Sequence, residues 1–190
     1  MNNTEICNKY LNKSILISVY QDIEDNDFLL GYLIDDLNQY YIFKSIDEYG
    51  CLDSYVLYKK DNIAKIIQNN NYTSTFDFFI NYQNNQNNFD YLHLEKIYKN
   101  IPKSNINSIL NYCCEQKSII TLTTTTDNYV HTGKLININQ KELLLDEQEY
   151  YTDFGITDEL DKSPILIDDI LTLDILNKEN FLYEQYLKQK

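Results

Sequence analysis

Arginine is absent from this chain of 190 residues, and all 16 basic side chains are lysine. Arginine supplies the planar fork that grips phosphates and carboxylates and stacks on bases. With a net charge of −13, its absence argues against nucleic acid or an anionic membrane as partner, because neutralising phosphate drives such binding. Tryptophan is missing as well, and only 4 glycines and 2 prolines occur. So few glycines build no phosphate cradle: there is no P-loop, no G-x-G-x-x-G and no G-x-S-x-G nucleophile elbow. The four cysteines, Cys7, Cys51, Cys113 and Cys114, form no C-x-x-C pair, which predicts free, buried thiols in a reducing compartment. No apolar run approaches the roughly 20 residues that span a bilayer. Residues 1–5 lack the basic stretch and apolar core of a signal peptide. These absences predict a cytoplasmic protein with no membrane association and no cofactor.

What is present is a repeat. Lys13-Ser14-Ile15 opens one apolar strand and Lys117-Ser118-Ile119 opens another. Gly31, in Phe28-Leu29-Leu30-Gly31-Tyr32-Leu33-Ile34, answers Gly133 in Val130-His131-Thr132-Gly133-Lys134-Leu135-Ile136. Gly50 matches Gly155, and Asp61-Asn62-Ile63 matches Asp168-Asp169-Ile170. An internal repeat dictates architecture before any single residue does. Residues 1–88 read as a first unit with flanking helices, 89–103 as a helical linker and 104–190 as a second unit with a terminal helix.

Within the first unit, residues 4–12 read as a short helix. Strands follow over 14–20, 28–35, 40–46, 55–59 and 63–67, where β-branched and aromatic residues alternate between turn signals. The second unit repeats the pattern with a helix capped by Ser104 and strands over 119–125, 129–136, 142–146, 150–153 and 165–167. Asp168-Asp169 then turns into 170–173, and a helix from 177 closes the unit. In the first unit residues 75–82 hold the corresponding helix, between Asn-rich runs that read as loops. A glycine inside a strand marks a bulge, a sharp bend or a close backbone approach, so Gly31 and Gly133 predict a strongly bent second strand in each unit.

A short helix followed by a five-stranded, strongly bent sheet resembles the Sm-like barrel. Gly31, Leu33 and Asp35 are similar to the first Sm motif. Tyr55-Val56-Leu57-Tyr58-Lys59-Lys60-Asp61-Asn62-Ile63 and Pro164-Ile165-Leu166-Ile167-Asp168-Asp169-Ile170 resemble the second. The chain also resembles a family of uncharacterised bacterial proteins sharing the G-Y-hydrophobic-hydrophobic-D strand, the I-D-x-x-G turn and the D-x-I close. The resemblance implies a mainly β (α+β) fold of two tandem Sm-like, five-stranded antiparallel barrels. Because Sm proteins join through edge strands, it also implies either a monomer with its barrels paired within the chain or a small homo-oligomer. RNA-binding Sm proteins carry an Arg-Gly pair in the second motif. Lys59-Lys60 and Asp168 stand there instead, so the fold carries over without the RNA site.

Reactive constellations fail one by one. His93-Leu94-Glu95 with Cys113-Cys114 is similar to a zinc-deaminase pattern, but adjacent cysteines cannot share a tetrahedral site as cysteines three apart do. A calcium loop starting at Asp22 would need glycine sixth and glutamate twelfth, where Asp27 and Leu33 stand. Thr121 to Thr126 has the composition of a strand edge. No metal site and no enzyme is expected. What remains is acid and tyrosine. Asp22, Glu24, Asp25 and Asp27 crowd one loop, Asp146, Glu147 and Glu149 a second, and Asp158, Glu159 and Asp161 a third. Tyrosine, with 18 copies, adds rigid area and a hydroxyl at interfaces. Tyr40, Tyr49, Tyr55, Tyr58, Asp146, Glu147, Tyr150 and Asp158 are therefore the candidate partner-binding residues. The alternatives are that the acids merely keep the chain soluble and that the tyrosines pack in the barrels. The expected function is non-enzymatic binding of a basic protein, as in an immunity-type or adaptor protein. The alternative is a divergent Sm-like RNA regulator.

Overall fold

The computed structural model describes residues 9–21, 27–127, 129–156 and 163–190. The chain divides at residue 100 into two units, Met1–Asn100 and Ile101–Lys190. The first holds β1 (Ile17–Tyr20), β2 (Phe28–Leu37), β3 (Tyr40–Ile46), β4 (Leu52–Lys59), β5 (Lys65–Ile67), α1 (Asn71–Asn85) and α2 (Leu94–Tyr98). The second holds α3 (Ile106–Gln116), β6 (Ile119–Thr124), β7 (Val130–Ile138), β8 (Glu142–Asp146), α4 (Gln148–Asp153), β9 (Ile165–Leu166), β10 (Ile170–Asn177) and α5 (Lys178–Leu187). The fold is mainly β with short helices. Strand order is β5-β1-β2-β3-β4 in one unit and β10-β6-β7-β8-β9 in the other, antiparallel at each pairing within a unit. Counted along the chain, both read fifth, first, second, third, fourth. Among the described residues the first and last strands of each order, β5 with β4 and β10 with β9, do not pair, so the described hydrogen bonds do not close the expected barrels.

The glycines explain the shared bend. A Cβ on Gly31 would lie 2.1 Å from the Lys44 carbonyl oxygen, and one on Gly133 would lie 2.6 Å from that of Asp146. In both units the third strand crosses so closely over this point that no side chain fits. Two residues later each second strand skips one partner: the ladder shifts between Leu33 and Asp35, and again between Leu135 and Asn137. The bulge adds bend where the glycine permits close approach. A three-residue 3₁₀ turn then leads into the last strand of each unit, at Lys60–Asn62 and Ile167–Asp169.

The correspondence corrects one sequence match. Ile17 faces Gly31 while Ile120 faces Gly133, so Ser14 rather than Lys13 is equivalent to Lys117. Ser14 and Lys117 share the left-handed backbone, at φ 50° and 54°. The two Lys-Ser-Ile triplets are thus one residue out of step. Gly50 and Gly155 both have positive φ, but Gly50 sits in the β3–β4 turn and Gly155 follows α4.

The first unit buries both sheet faces. Ile17, Val19, Leu33, Tyr41, Phe43, Tyr58 and Ile63 form one cluster, and Leu16, Leu30 and Ile46 pack with Phe76 and Ile80 of α1 in another. α1 is longer than the sequence suggests. Asn70 caps it, accepting from the Thr73 N–H at 2.8 Å while Thr73 Oγ1 accepts from the Asn70 N–H, and the helix runs into the Asn-rich stretch. Residues 89–100 fall within the first unit: the Leu52 N–H bonds the Phe89 carbonyl, and Tyr98 stacks on Tyr55 at 3.8 Å.

In the second unit Ile109, Leu110 and Cys113 of α3 are buried, as are Ile120, Leu122, Leu135, Leu143, Leu145, Ile170 and Leu173 of the sheet. α3 is capped by Asn105, not Ser104: Asn105 Oδ1 accepts from the Ser108 N–H and Ser108 Oγ from the Asn105 N–H. Residues 150–153, read as a strand, are helical. A Schellman ending accounts for this, with the Gly155 N–H on the Thr152 carbonyl, the Ile156 N–H on that of Tyr151, and Gly155 at φ 87°. The first predicted helix, 4–12, lies largely outside the described residues; residues 9–12 form turns. Among the described residues no helix is long and apolar enough to cross a membrane.

Candidate functional site

Three of the eight residues singled out in the sequence fall into the core. Tyr40, Tyr55 and Tyr58 are buried on β3 and β4, so they present no surface to a partner. Burial, with Glu95 beside it, raises the Tyr55 hydroxyl far above its ordinary pKa, and burial does the same for Tyr58. Tyr49 stands 66% exposed at the β3–β4 turn, where Asp47 Oδ1 accepts the Tyr49 and Cys51 N–H groups. Asp146 ends β8 half-buried, and Asp158 lies outside the described residues. Of the cysteines, Cys51 and Cys113 are buried, Cys114 is half-buried, and Cys7 lies outside the described residues. Burial, first, and the nearby Glu184 push the Cys113 thiol up to about 12, so it is unreactive at neutral pH.

Glu147 is the informative one. Its side chain is only 8% exposed and reaches back under β7. Oε1 accepts the Thr132 N–H at 3.1 Å, and Oε2 lies 3.3 Å from His131 Nδ1. His131 Nε2 lies 3.3 Å from Asp127 Oδ2 on the other side. Asp127 also accepts the Tyr129 N–H and the Thr124 hydroxyl. An imidazole thus sits between two carboxylates, with the Tyr129 ring edge-on to it at 5.0 Å. Burial raises the Glu147 carboxyl above the ordinary range, outweighing its bonds from His131 and the Thr132 N–H. At Asp127 desolvation is the largest single effect, but the bonds from Tyr129, His131 and Thr124 and the nearby imidazole together outweigh it, and the carboxyl is lowered.

These groups line a cavity of about 430 Å³, whose wall Asp169 and residues 163–166 complete. No lysine is among the described residues that line it. The described lining therefore offers carboxylates to a cation. Both imidazole nitrogens are already engaged, so neither is free to take a proton from a substrate without breaking a bond. Among the described residues no group of three His, Cys, Asp or Glu has the arrangement of a metal site.

Comparing the two units locates the charge more sharply than composition does. Gly31 and Gly133 are equivalent, so Leu29 stands where His131 stands. The approach of Lys44 and Asp146 to those glycines makes Ser45 the equivalent of Glu147. Ser45 is a buried hydroxyl bonded to Ser54 at 2.7 Å. One copy keeps neutral packing at positions where the other buries an acid and an imidazole. Burying a carboxylate costs several kcal/mol before pairing, by general estimates. The first unit shows that the fold does not require it.

Tyr150 marks a second cluster. From α4 its hydroxyl donates to Glu179 of α5, and its ring packs on Phe154 at 4.6 Å and Tyr183 at 5.1 Å.

No protein-family model and no curated protein matches this chain.

Proposed function

We propose that this chain is a non-enzymatic protein-interaction module of two Sm-like units, binding a basic protein partner as an immunity-type or adaptor protein would. The Sm-like reading draws support from the shared strand order, the glycine and bulge of the second strand, and the D-x-I turn into the last strand. The observation that carries the function is the cavity lined by Asp127, His131 and Glu147, which has no lysine among its described lining residues and in which His131 and Glu147 stand where the first unit has Leu29 and Ser45. A cationic side chain entering it would meet Asp127 already ionised. The charge of −13 speeds encounter with a positive surface and repels nucleic acid.

Calorimetric titration of the full chain with a lysine-rich peptide and with single-stranded RNA, at low and high salt, tests this reading. Peptide binding that weakens with salt and falls in Asp127→Asn is the expected result. Tight RNA binding, or a peptide affinity indifferent to salt, would overturn it.

A further inference from the structure

We infer that the groove between α4 and α5 is a subsite for a lysine side chain of the basic partner, held in the unbound protein by the chain's own Lys190. The inference rests on the reading above and adds to it a place and a chemistry. The groove has a volume of about 320 Å³, toward the lower end of ordinary ligand pockets. Its walls are aromatic and aliphatic: Phe154, Leu182 and Tyr186 are each half exposed or more, and Tyr183 is buried beneath them. Tyr183 lies 5.7 Å from Phe154 and 5.9 Å from Tyr186, ring centre to ring centre.

Two carboxylates, Asp153 and Glu179, complete the lining. Asp153 is fixed from below by the Tyr183 hydroxyl, which donates to Oδ2 at 3.0 Å. Glu179 accepts the Tyr150 hydroxyl. Aromatic faces with a carboxylate at the rim suit an ammonium on an aliphatic stem: the stem packs on the rings, and the head meets both the negative ring face and the acid.

The structure already shows this chemistry in use. Lys190 Nζ lies 3.1 Å from each oxygen of Asp153 and 5.7 Å from the centre of the Tyr186 ring. The Lys190 side chain is half exposed, so an incoming lysine can displace it without unfolding anything. The acid rim selects a cation over a neutral or anionic side chain.

The test uses the full chain and a short lysine-rich peptide, followed by the ring resonances of Phe154, Tyr183 and Tyr186 and by calorimetry. The peptide should move those resonances, and Phe154→Ala should weaken binding about five-fold, the scale of one cation–π contact. Tyr186→Leu, which keeps bulk and removes the aromatic face, should weaken it similarly. Lys190→Ala should bind more tightly than Lys188→Ala, which changes the net charge equally but leaves the Asp153 pair in place. Peptide that binds with unchanged affinity to Phe154→Ala and moves only resonances of Tyr129 and His131 overturns the groove and leaves the basic-partner reading standing. Absence of peptide binding at low salt overturns both. Lys190→Ala binding no tighter than Lys188→Ala overturns the displacement.

Discussion

At Gly31 and Gly133 the side chain is excluded by the neighbouring strand's backbone, which cannot give way as a flexible side chain can. Gly155 is different: no atom lies near its would-be Cβ, and only its φ of 87° resists substitution. Gly31→Ala and Gly133→Ala should each cost about 1–3 kcal/mol or more, as overpacking does. Gly155→Ala should cost about 1 kcal/mol, from backbone strain alone. Urea unfolding of the three variants measures the order. Glu184 gives a pH prediction. Burial is the main cause raising its carboxyl, against the Ile119 N–H at 2.9 Å and the nearby Lys188 and Lys134. A carboxyl raised on folding contributes stability that is present below the unfolded value, about 4.3, and lost as pH rises through the folded value. The stability of the wild type relative to Glu184→Gln should therefore fall as pH rises above about 4. Thermal melts across that range check the sign.

Elements were legible where alternation and turn residues agreed. Residues 40–46 form the strand that their pattern predicts, and 142–146 do likewise. At 150–153 the β propensity of Tyr-Tyr-Thr points to a strand. The helix is decided instead by Gly155 in its left-handed ending and by Tyr150 packing one turn below Phe154. The Asn-rich run misled in the same way, since Asn70 acts as a cap and Asn84 bonds the Ile80 carbonyl from within the helix. α3 ends in a Schellman pattern as α4 does, the Ser118 N–H on Cys113 and the Lys117 N–H on Cys114, but with lysine at the left-handed position. Glycine avoids that position's steric cost. Lys117→Gly should raise stability by up to about 1 kcal/mol, read from the urea midpoint at unchanged slope.

At the scale of the whole molecule, the repeat was visible in sequence because the glycines and the D-x-I turns are fixed by backbone geometry that both units share. Of the site, the sequence singled out Glu147 alone. Asp127 lies between β6 and β7, His131 on β7 and Glu147 just past β8, and nothing in their spacing announces that they meet. The signal lay between the copies, where Leu29 faces the comparison with His131 and Ser45 that with Glu147. Reading it requires the alignment that the glycines set and that the Lys-Ser-Ile triplets miss by one. Tyr40, Tyr55 and Tyr58 are core rather than surface residues because strands buried on both faces carry large side chains on each, so adjacent Tyr40 and Tyr41 are both enclosed.

One strand arrangement is used twice, and its second copy bears the charged cavity. Cross-strand nuclear Overhauser contacts between backbone protons test that directly. They should place Ile17 opposite Gly31 and Ile120 opposite Gly133, with a skipped partner after Leu33 and again after Leu135. A second unit whose β6 faces strands other than β7 and β10, or whose β7 lacks the skip, would contradict it.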